Sequence, residues 1–429
     1  MRRSLAVAFR AEQGAWRLAL MKSPFAPNNR AMSRDAGFAY LFKKFPVFAQ
    51  TFIAREVEGM ERYGCRPDIY ALQTAPPADQ EGFADLRRRV RVLPAGAPLA
   101  ASILAAGVGG RLPASAFLSG AWLGRRNRRR REAFWLGPRL RSAGITHVHT
   151  HFTGPAARTA WWLRQDFGIS CSITAHANDF LNDADEYPGM ERLLTDASFV
   201  VAVSDYSRKL LAERFPRARV VRVYNGMRFD NALPPAPVSP PRLVAVGRLV
   251  EKKGYPVLIE ACALLKQRGI HFRCEIIGEG PLEEELQKLV ALLGVGDHVG
   301  LAGPRTQPEI RRSLAAASVF VLPCVEEKSG GMDILPTVIT EAMAAALPVV
   351  STRLAGIPEM VTDGKTGFLV PPGDAQAVAD AVQKLLANPG EARAMGAAGR
   401  RHAEAIFSQD VTIPHLLALL GQKPTQALA

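Results

Sequence analysis

Short apolar runs alternate with helix-patterned stretches along almost the whole of this 429-residue chain, and that alternation admits few folds. A strand covered on both faces reads as a continuous apolar run, and a helix is needed to carry the chain back for the next parallel strand. Repetition of the pair therefore dictates parallel α/β layers. In the first half Phe38–Phe42, Ile145–His149, Ser170–Thr174, Phe199–Ser204 and Val220–Tyr224 read as strands, with helices over Gln50–Tyr63 and Pro155–Asp166. The run Pro234-Pro235-Ala236-Pro237-Val238-Ser239-Pro240-Pro241 interrupts the pattern and reads as a linker. Beyond it, Arg242–Gly247, Arg273–Gly278, Ser318–Pro323 and Pro348–Thr352 read as strands. Pro256–Arg268 reads as a helix with Pro at its start and Gly269 after its end, and Glu283–Leu293 as one whose first turn carries three glutamates against the helix dipole. The expected architecture is α/β with two Rossmann-like domains, residues 36–233 and 242–400, on either side of a linker at 234–241. A chain of this length suits two cores better than one.

Charge is distributed unevenly. Of 54 Lys/Arg and 40 Asp/Glu, residues 1–150 hold 25 and 10, so the whole net charge of +14 belongs to the first third. A basic surface there points to anionic lipid or an anionic substrate. Within it, Arg125, Arg126, Arg128, Arg129, Arg130 and Arg131 follow Trp122, a combination suited to an anionic membrane surface. Nucleic acid is not expected, because no stacking platform accompanies the cluster. Residues 1–35, rich in Arg and Ala, read as a disordered extension rather than a leader. The uncharged stretch Val92–Gly110 is mostly Ala and Gly, with Pro94 and Pro98 near its start, and is not expected to span a membrane. Five scattered cysteines without a CxxC pair suggest free thiols in a reducing compartment. The expected location is cytoplasmic, at most peripheral on the inner face of the plasma membrane.

Chemistry concentrates in Gly331-Met332-Asp333-Ile334-Leu335-Pro336-Thr337-Val338-Ile339-Thr340-Glu341-Ala342-Met343-Ala344. Asp333 and Glu341 flank Pro336, which marks a helix start. A helix start offers unpaired N–H groups and partial positive charge to an anion, and Glu341, one turn in, leans back toward the same end. Amides for a phosphate and two acceptors for hydroxyls describe a site for a nucleotide-linked sugar. Upstream, Val246-Gly247-Arg248-Leu249-Val250-Glu251-Lys252-Lys253-Gly254 follows a strand, where ligand crevices of open parallel sheets lie. Arg248 and Lys253 place cations there, and fixed cations stabilise a departing diphosphate most in the transition state. Gly278-Glu279-Gly280-Pro281 lets backbone approach a ligand closely.

These segments resemble the retaining glycosyltransferases of family 4, of GT-B fold and of the exopolysaccharide and colanic-acid type. The acidic segment is similar to that family's signature, departing in Asp333 for Glu and Ile334 for Gly. Gly247-Arg248 with Lys253-Gly254 resembles its diphosphate-binding motif, and Gly278–Pro281 its nucleotide loop. The resemblance implies that Arg248, Lys253, Gly278, Glu279, Arg305, Thr337, Val338 and Glu341 bind the donor. In it Glu341 holds ribose, Asp333 meets the sugar ring and the Thr337 and Val338 amides take the distal phosphate. Thr174-Ala175-His176 is similar to the family's segment near the reacting carbon, making His176, Asp333 and Glu341 the candidate catalytic set. Tyr40–Ile53 resembles the family's N-terminal signature, with Gln50 for the usual Glu, and puts Lys44 on the acceptor side along with His151. Residues 401–421 are expected to cross back to the first domain as one helix. Alternating His147, His149 and His151 could in principle ligate zinc, yet no further ligand cluster follows, and neither metal nor cofactor is expected. The implied activity is metal-independent transfer of a hexosyl group from a nucleoside-diphosphate sugar to a saccharide, polyprenyl-linked in many relatives of this type. Two alternatives stand beside it: a nucleotide-sugar epimerase of the same fold, and a non-catalytic, membrane-associated nucleotide-sugar-binding subunit.

Overall fold

The computed structural model describes residues 37–47, 50–76, 83–96, 99–100, 103, 128–176, 188–229 and 239–423. The expected extension at 1–35 and most of the Pro-rich linker lie outside these residues. Seven strands form the first sheet: β1 (Gly37–Phe42), β2 (Asp68–Ala71), β3 (Val90–Val92), β4 (Ile145–His151), β5 (Ser170–Ala175), β6 (Val200–Ala202) and β7 (Val220–Arg222). All pair in parallel, in the order β3-β2-β1-β4-β5-β6-β7. The second sheet is built the same way from β8 (Arg242–Val246), β9 (Arg273–Ile277), β10 (Val299–Leu301), β11 (Val319–Leu322), β12 (Val349–Thr352) and β13 (Gly367–Val370), in the order β10-β9-β8-β11-β12-β13. In each sheet the winding reverses once, between β1 and β4 and between β8 and β11. A crevice opens at such a reversal, outside the carboxyl ends of the strands. The central strands are buried on both faces, as parallel strands between helix layers must be; most are apolar, but β4 and β5 bury His147, His149, His151, Ser172 and Thr174.

Seven helices position the site: α1 (Thr51–Arg62), α2 (Pro155–Phe167), α3 (Asp205–Arg214), α4 (Tyr255–Gln267), α5 (Thr337–Ala344), α6 (Pro389–Phe407) and α7 (Gln409–Leu419). Helix α1 buries Ile53, Val57 and Met60, spaced along one face, together with Tyr40 and Phe42 of the first sheet and Ile413, Leu416 and Leu417 of α7. Gly59 makes this sandwich possible, since a Cβ there would meet Ile413 Cγ1 at 2.9 Å.

The return to the first domain differs from the single helix expected over 401–421. Ser408 adopts an extended backbone, ψ 142°, and its Oγ accepts from the Asp410 amide at 3.1 Å. One helix therefore ends there and a second begins, because a serine that caps the next helix competes with continuing the last one. Only α7 crosses. Gln409 docks it, accepting from Arg62 Nη2 at 2.8 Å and donating to the Arg55 carbonyl at 2.6 Å.

Candidate active site

Three loops knit the mouth of the second sheet. Gly247 N donates to Ile277 O at 3.0 Å, Leu249 N to Glu279 O at 2.9 Å and Gly278 N to Gly303 O at 2.9 Å. Gly278 has φ 147°, and a Cβ on it would lie 1.9 Å from the Gly247 carbonyl oxygen. The loop after β8 continues into a 3-10 turn, Glu251–Lys253, which Gly254 ends at φ 68°. A Cβ on Gly254 would lie 1.8 Å from the Pro323 carbonyl oxygen, so the turn carrying Lys253 is pressed onto the end of β11. Gly254→Ala should therefore cost about 3 kcal/mol, from the left-handed backbone and the clash together. Denaturant unfolding checks this; a change below about 1 kcal/mol would show that the loop is not packed as described.

That turn delivers two ammonium groups to one carboxylate. Asp333 Oδ2 lies 2.5 Å from Lys253 Nζ and Oδ1 lies 3.3 Å from Lys252 Nζ, with all three side chains less than one-fifth exposed. Burial alone would raise the Asp333 pKa, but Lys253 and then Lys252 outweigh it and hold the carboxyl below its usual range. Burial likewise works to lower the Lys253 pKa, and the Asp333 carboxylate overcomes it and holds the ammonium above its ordinary value. The group is a fixed ionic cluster at neutral pH.

Just beyond, Pro336 leads α5 without a side-chain cap, so the first amides of the helix, Thr337 and Val338, are left for an outside acceptor. Glu341 Oε1 accepts from Arg55 Nη2 at 2.8 Å, and the same nitrogen lies 3.4 Å from Gln307 Oε1. The first domain thus reaches across to the carboxylate expected to hold ribose. Ile334 is 5% exposed and packs in a first-domain cluster with Trp161, Ile173, Ala175 and Met190. The isoleucine that departs from the family pattern fills an apolar contact between the domains. Glu359 is a second bridge. Its Oε2 accepts from the Asp205 amide at 2.7 Å and the Tyr224 hydroxyl at 2.9 Å, and its Oε1 from the Tyr206 amide at 2.8 Å. A second-domain carboxylate so caps the start of α3, whose own capping box is formed by Ser204 and Ser207.

Facing this mouth from the first sheet, the strand-end histidines are buried rather than open. His147 hydrogen-bonds Ser170 and Ser172 at 2.8 and 2.7 Å, and His149 hydrogen-bonds Ser172 and Thr174 at 2.7 and 2.9 Å. Burial lowers the His147 pKa to about 3 and takes that of His149 well below the ordinary value. His151 is not on the open acceptor side, because its wholly buried side chain lies between Glu56 Oε1 at 3.0 Å and His176 Nε2 at 3.1 Å. Glu56, His149 and His151 present donor atoms within 4.8 Å of one another, a grouping that could hold a metal ion. Each ring nitrogen of the two histidines already has a hydrogen-bond partner, so an ion would displace bonds rather than fill a gap. Phe152, at φ 67°, closes over His176 with ring centroids 4.5 Å apart.

The structure brings Asp333, Lys253, the start of α5 and Glu341 together, with Arg248 exposed beside them and Glu279 in the adjoining loop. Arg305 stands apart, its guanidinium committed to Glu275 at 2.6 Å and Ser313 at 2.8 Å. Lys44 is half-buried on the turn after β1. In the basic cluster, Arg129 pairs with Glu132 at 3.0 Å and Arg130 with Asp166 at 2.8 Å, so part of its charge is spent inside the fold. Arg125 and Arg126 lie outside the described residues. Sequence reasoning missed Lys252, Arg55, Glu56 and Glu359. Glu56 did carry a signal, being a carboxylate on the apolar face of α1, three residues after Ile53 and four before Met60.

Two doubly wound domains sharing an amide- and cation-lined mouth define a glycosyltransferase of GT-B fold. Residues 49–230 match the Glycosyltransferase Family 4 model and residues 230–402 the Glycosyl transferases group 1 model. The chain is 35% identical to the glycosyltransferase WcaL of Escherichia coli, named for colanic acid biosynthesis, over 63% of this chain and 69% of that one. It is 36% identical to the amylovoran biosynthesis glycosyltransferase AmsK of Erwinia amylovora, over 55% of this chain and 58% of AmsK, so the match spans little more than half of that relative. The chain belongs to the group 1, family 4 glycosyltransferases. Its backbone superposes on sucrose-phosphate synthase from Thermosynechococcus elongatus with a TM-score of 0.67, covering 90% of this chain and 98% of that one at 20% identity, a likeness of fold.

Proposed function

We propose that this protein transfers a hexosyl group from a nucleoside-diphosphate sugar to a hydroxyl of a saccharide, with retention of configuration, in the synthesis of a cell-surface polysaccharide. One observation carries the reading: Lys253, Lys252, Asp333, Glu341 and an uncapped helix start converge on one mouth. The diphosphate would lie against the Thr337 and Val338 amides, with Lys253 and Arg248 offsetting the charge that grows as it departs. Glu341 would take the ribose hydroxyls once Arg55 releases it, and Asp333 would meet the sugar ring while the two lysines keep it ionised. Asp333 reaches one methylene less far than the usual glutamate, and the pair with Lys253 shows where that shorter arm is anchored. His176, which lies against Phe152 and Phe52, would face the acceptor side of the reacting carbon. The relatives' names, amylovoran and colanic acid biosynthesis, support a polysaccharide product.

A polyprenyl-linked acceptor and attachment to an anionic membrane face on the cytoplasmic side belong to the same proposal. They rest on the charge excess in residues 1–150. Among the described residues no helix is long and apolar enough to cross a membrane.

The test is a panel of UDP-, GDP- and ADP-sugars with and without saccharide acceptors. Acceptor-dependent release of one nucleoside diphosphate is expected. Turnover without acceptor points instead to an epimerase, and donor binding without any turnover to a non-catalytic subunit. Because two lysines, an arginine and helix amides neutralise the diphosphate, transfer should persist in excess chelator. Loss of activity that manganese restores would contradict this.

A further inference from the structure

We propose that Phe52 and Phe152 form an aromatic wall on the acceptor side, against which the C–H face of a saccharide ring stacks. The inference rests on the glycosyl-transfer reading and deepens it, naming two residues that select the acceptor.

A left-handed backbone aims one of the rings. Side chains alternate between the two faces of a strand, so Phe152, directly after β4, should share the face of Val148 and lie opposite His151. Val148 packs in the core cluster that holds Phe134, Leu140 and Phe167. Phe152 instead packs against the cluster that holds Tyr40, Phe42 and Phe45, on the side of the sheet where Tyr40 and Phe42 meet the His151 ring. The change of face comes at φ 67°, while the Phe152 amide still donates to the Thr174 carbonyl at 2.9 Å. A bulky side chain rarely adopts that backbone, and strain of this kind gathers at ligand sites.

The place fits. The winding of the first sheet reverses between β1 and β4, where ligands enter the crevice outside the strand ends. Phe152 follows β4, and Phe52 stands in the first turn of α1, the helix that follows β1. Both rings rest on His176, with centroids 4.5 Å away for Phe152 and 4.9 Å for Phe52. Phe52 also shares a face of α1 with Arg55, three residues on, and Arg55 reaches Glu341 of the second domain at 2.8 Å. The wall therefore borders the mouth proposed for the donor. Both phenylalanines stay partly exposed, whereas Tyr40, Phe42 and Phe45 of the same cluster are buried.

The chemistry suits a sugar. One face of a pyranose carries several C–H groups whose hydrogens are partially positive, and the face of an aromatic ring is negative. Stacking takes both surfaces out of water and leaves the hydroxyls at the sugar's edge free to turn toward the donor. An axial hydroxyl on the stacked face would lose its water without gaining a partner, so the wall discriminates between epimers.

The experiment uses the full chain and saturation-transfer NMR with the methyl glycosides of glucose, galactose and mannose. Irradiating the aromatic protons should saturate the ring C–H protons of one glycoside in wild type. Phe52→Leu and Phe152→Leu should each reduce that signal at least about fivefold, and Phe152→Tyr, which keeps the ring, should retain it. An undiminished signal in both leucine variants, or no signal from any glycoside, overturns the proposal. Phe52 lies on a helix, where leucine is well tolerated, so its variant decides the matter if Phe152→Leu does not fold. In kinetics with a water-soluble saccharide acceptor, each leucine variant should raise the acceptor KM about tenfold and leave the donor KM within about twofold. Equal rises in both KM values would show a merely structural role, and a loss confined to polyprenyl-linked acceptors would show that the wall takes lipid; either overturns the proposal. If wild type transfers no sugar from any donor, the function proposed above fails, and saturation transfer still judges the wall.

Discussion

Lys253→Met is expected to lower kcat by about 10²–10³-fold, the usual loss on removing one fixed group that faces developing charge. The ammonium is buried and held protonated by Asp333, so it meets the leaving diphosphate without reorganisation. Methionine keeps most of the stem and removes only the charge, which separates electrostatics from packing. Stability should fall as well, by about 1–3 kcal/mol, because Asp333 is left with Lys252 alone at 3.3 Å. The pH dependence has a definite sign. Asp333 is depressed in the folded protein, so its contribution is present above the unfolded carboxyl value and is lost as pH falls through the folded one. Lys253 is raised, so its contribution holds below the unfolded ammonium value and is lost as pH rises through the folded one. Acid should therefore destabilise wild type more than Lys253→Met. Urea midpoints at neutral and acidic pH test this, and parallel losses in the two proteins would contradict the cluster.

Glu341→Ala should weaken donor binding by about 10²–10³-fold. A carboxylate accepting two hydroxyls makes charge-assisted bonds worth roughly 1.5–3 kcal/mol each. The side chain already shows its capacity by holding Arg55 across the gap between domains. Arg55→Ala is the control: it frees the carboxylate without removing it, so donor affinity should change less than about tenfold. Calorimetric titration of the matching nucleoside diphosphate reads both variants. Equal losses in the two would contradict Glu341 as a ribose contact in its own right.

The long central strands and the helices between them were legible because each is a complete period: β1, β4, β5 and β8 run for five to seven residues and bury nearly every side chain. Strands β3 and β10 were not, since Val90-Arg91-Val92 and Val299-Gly300-Leu301 are short and stand in no longer apolar run, whereas β7, equally short and also at an edge, sits in the run Val220–Tyr224. The break at Ser408 was hidden because Ser-Gln-Asp reads equally as helix interior or as a new start. In the site, residues belonging to one loop or one helix start were found together. The contacts made between distant parts, Arg55 to Glu341, Glu56 to His151 and Glu359 to the start of α3, depend on how the chain returns on itself. Ile334 shows the limit most clearly: as sequence it is a departure from a motif, and only its burial in the first-domain cluster that includes Trp161 and Ile173 shows what the departure achieves.

Thermal unfolding with UDP, GDP and ADP, in wild type and in Lys253→Met, tests the central claim that a diphosphate seats between the start of α5 and the lysine turn. Ligand at 100 times its dissociation constant stabilises the native state by about 2.7 kcal/mol, so one base should raise Tm by several degrees in wild type and far less in the variant. An equal rise in both proteins, or none with any of the three, would contradict it.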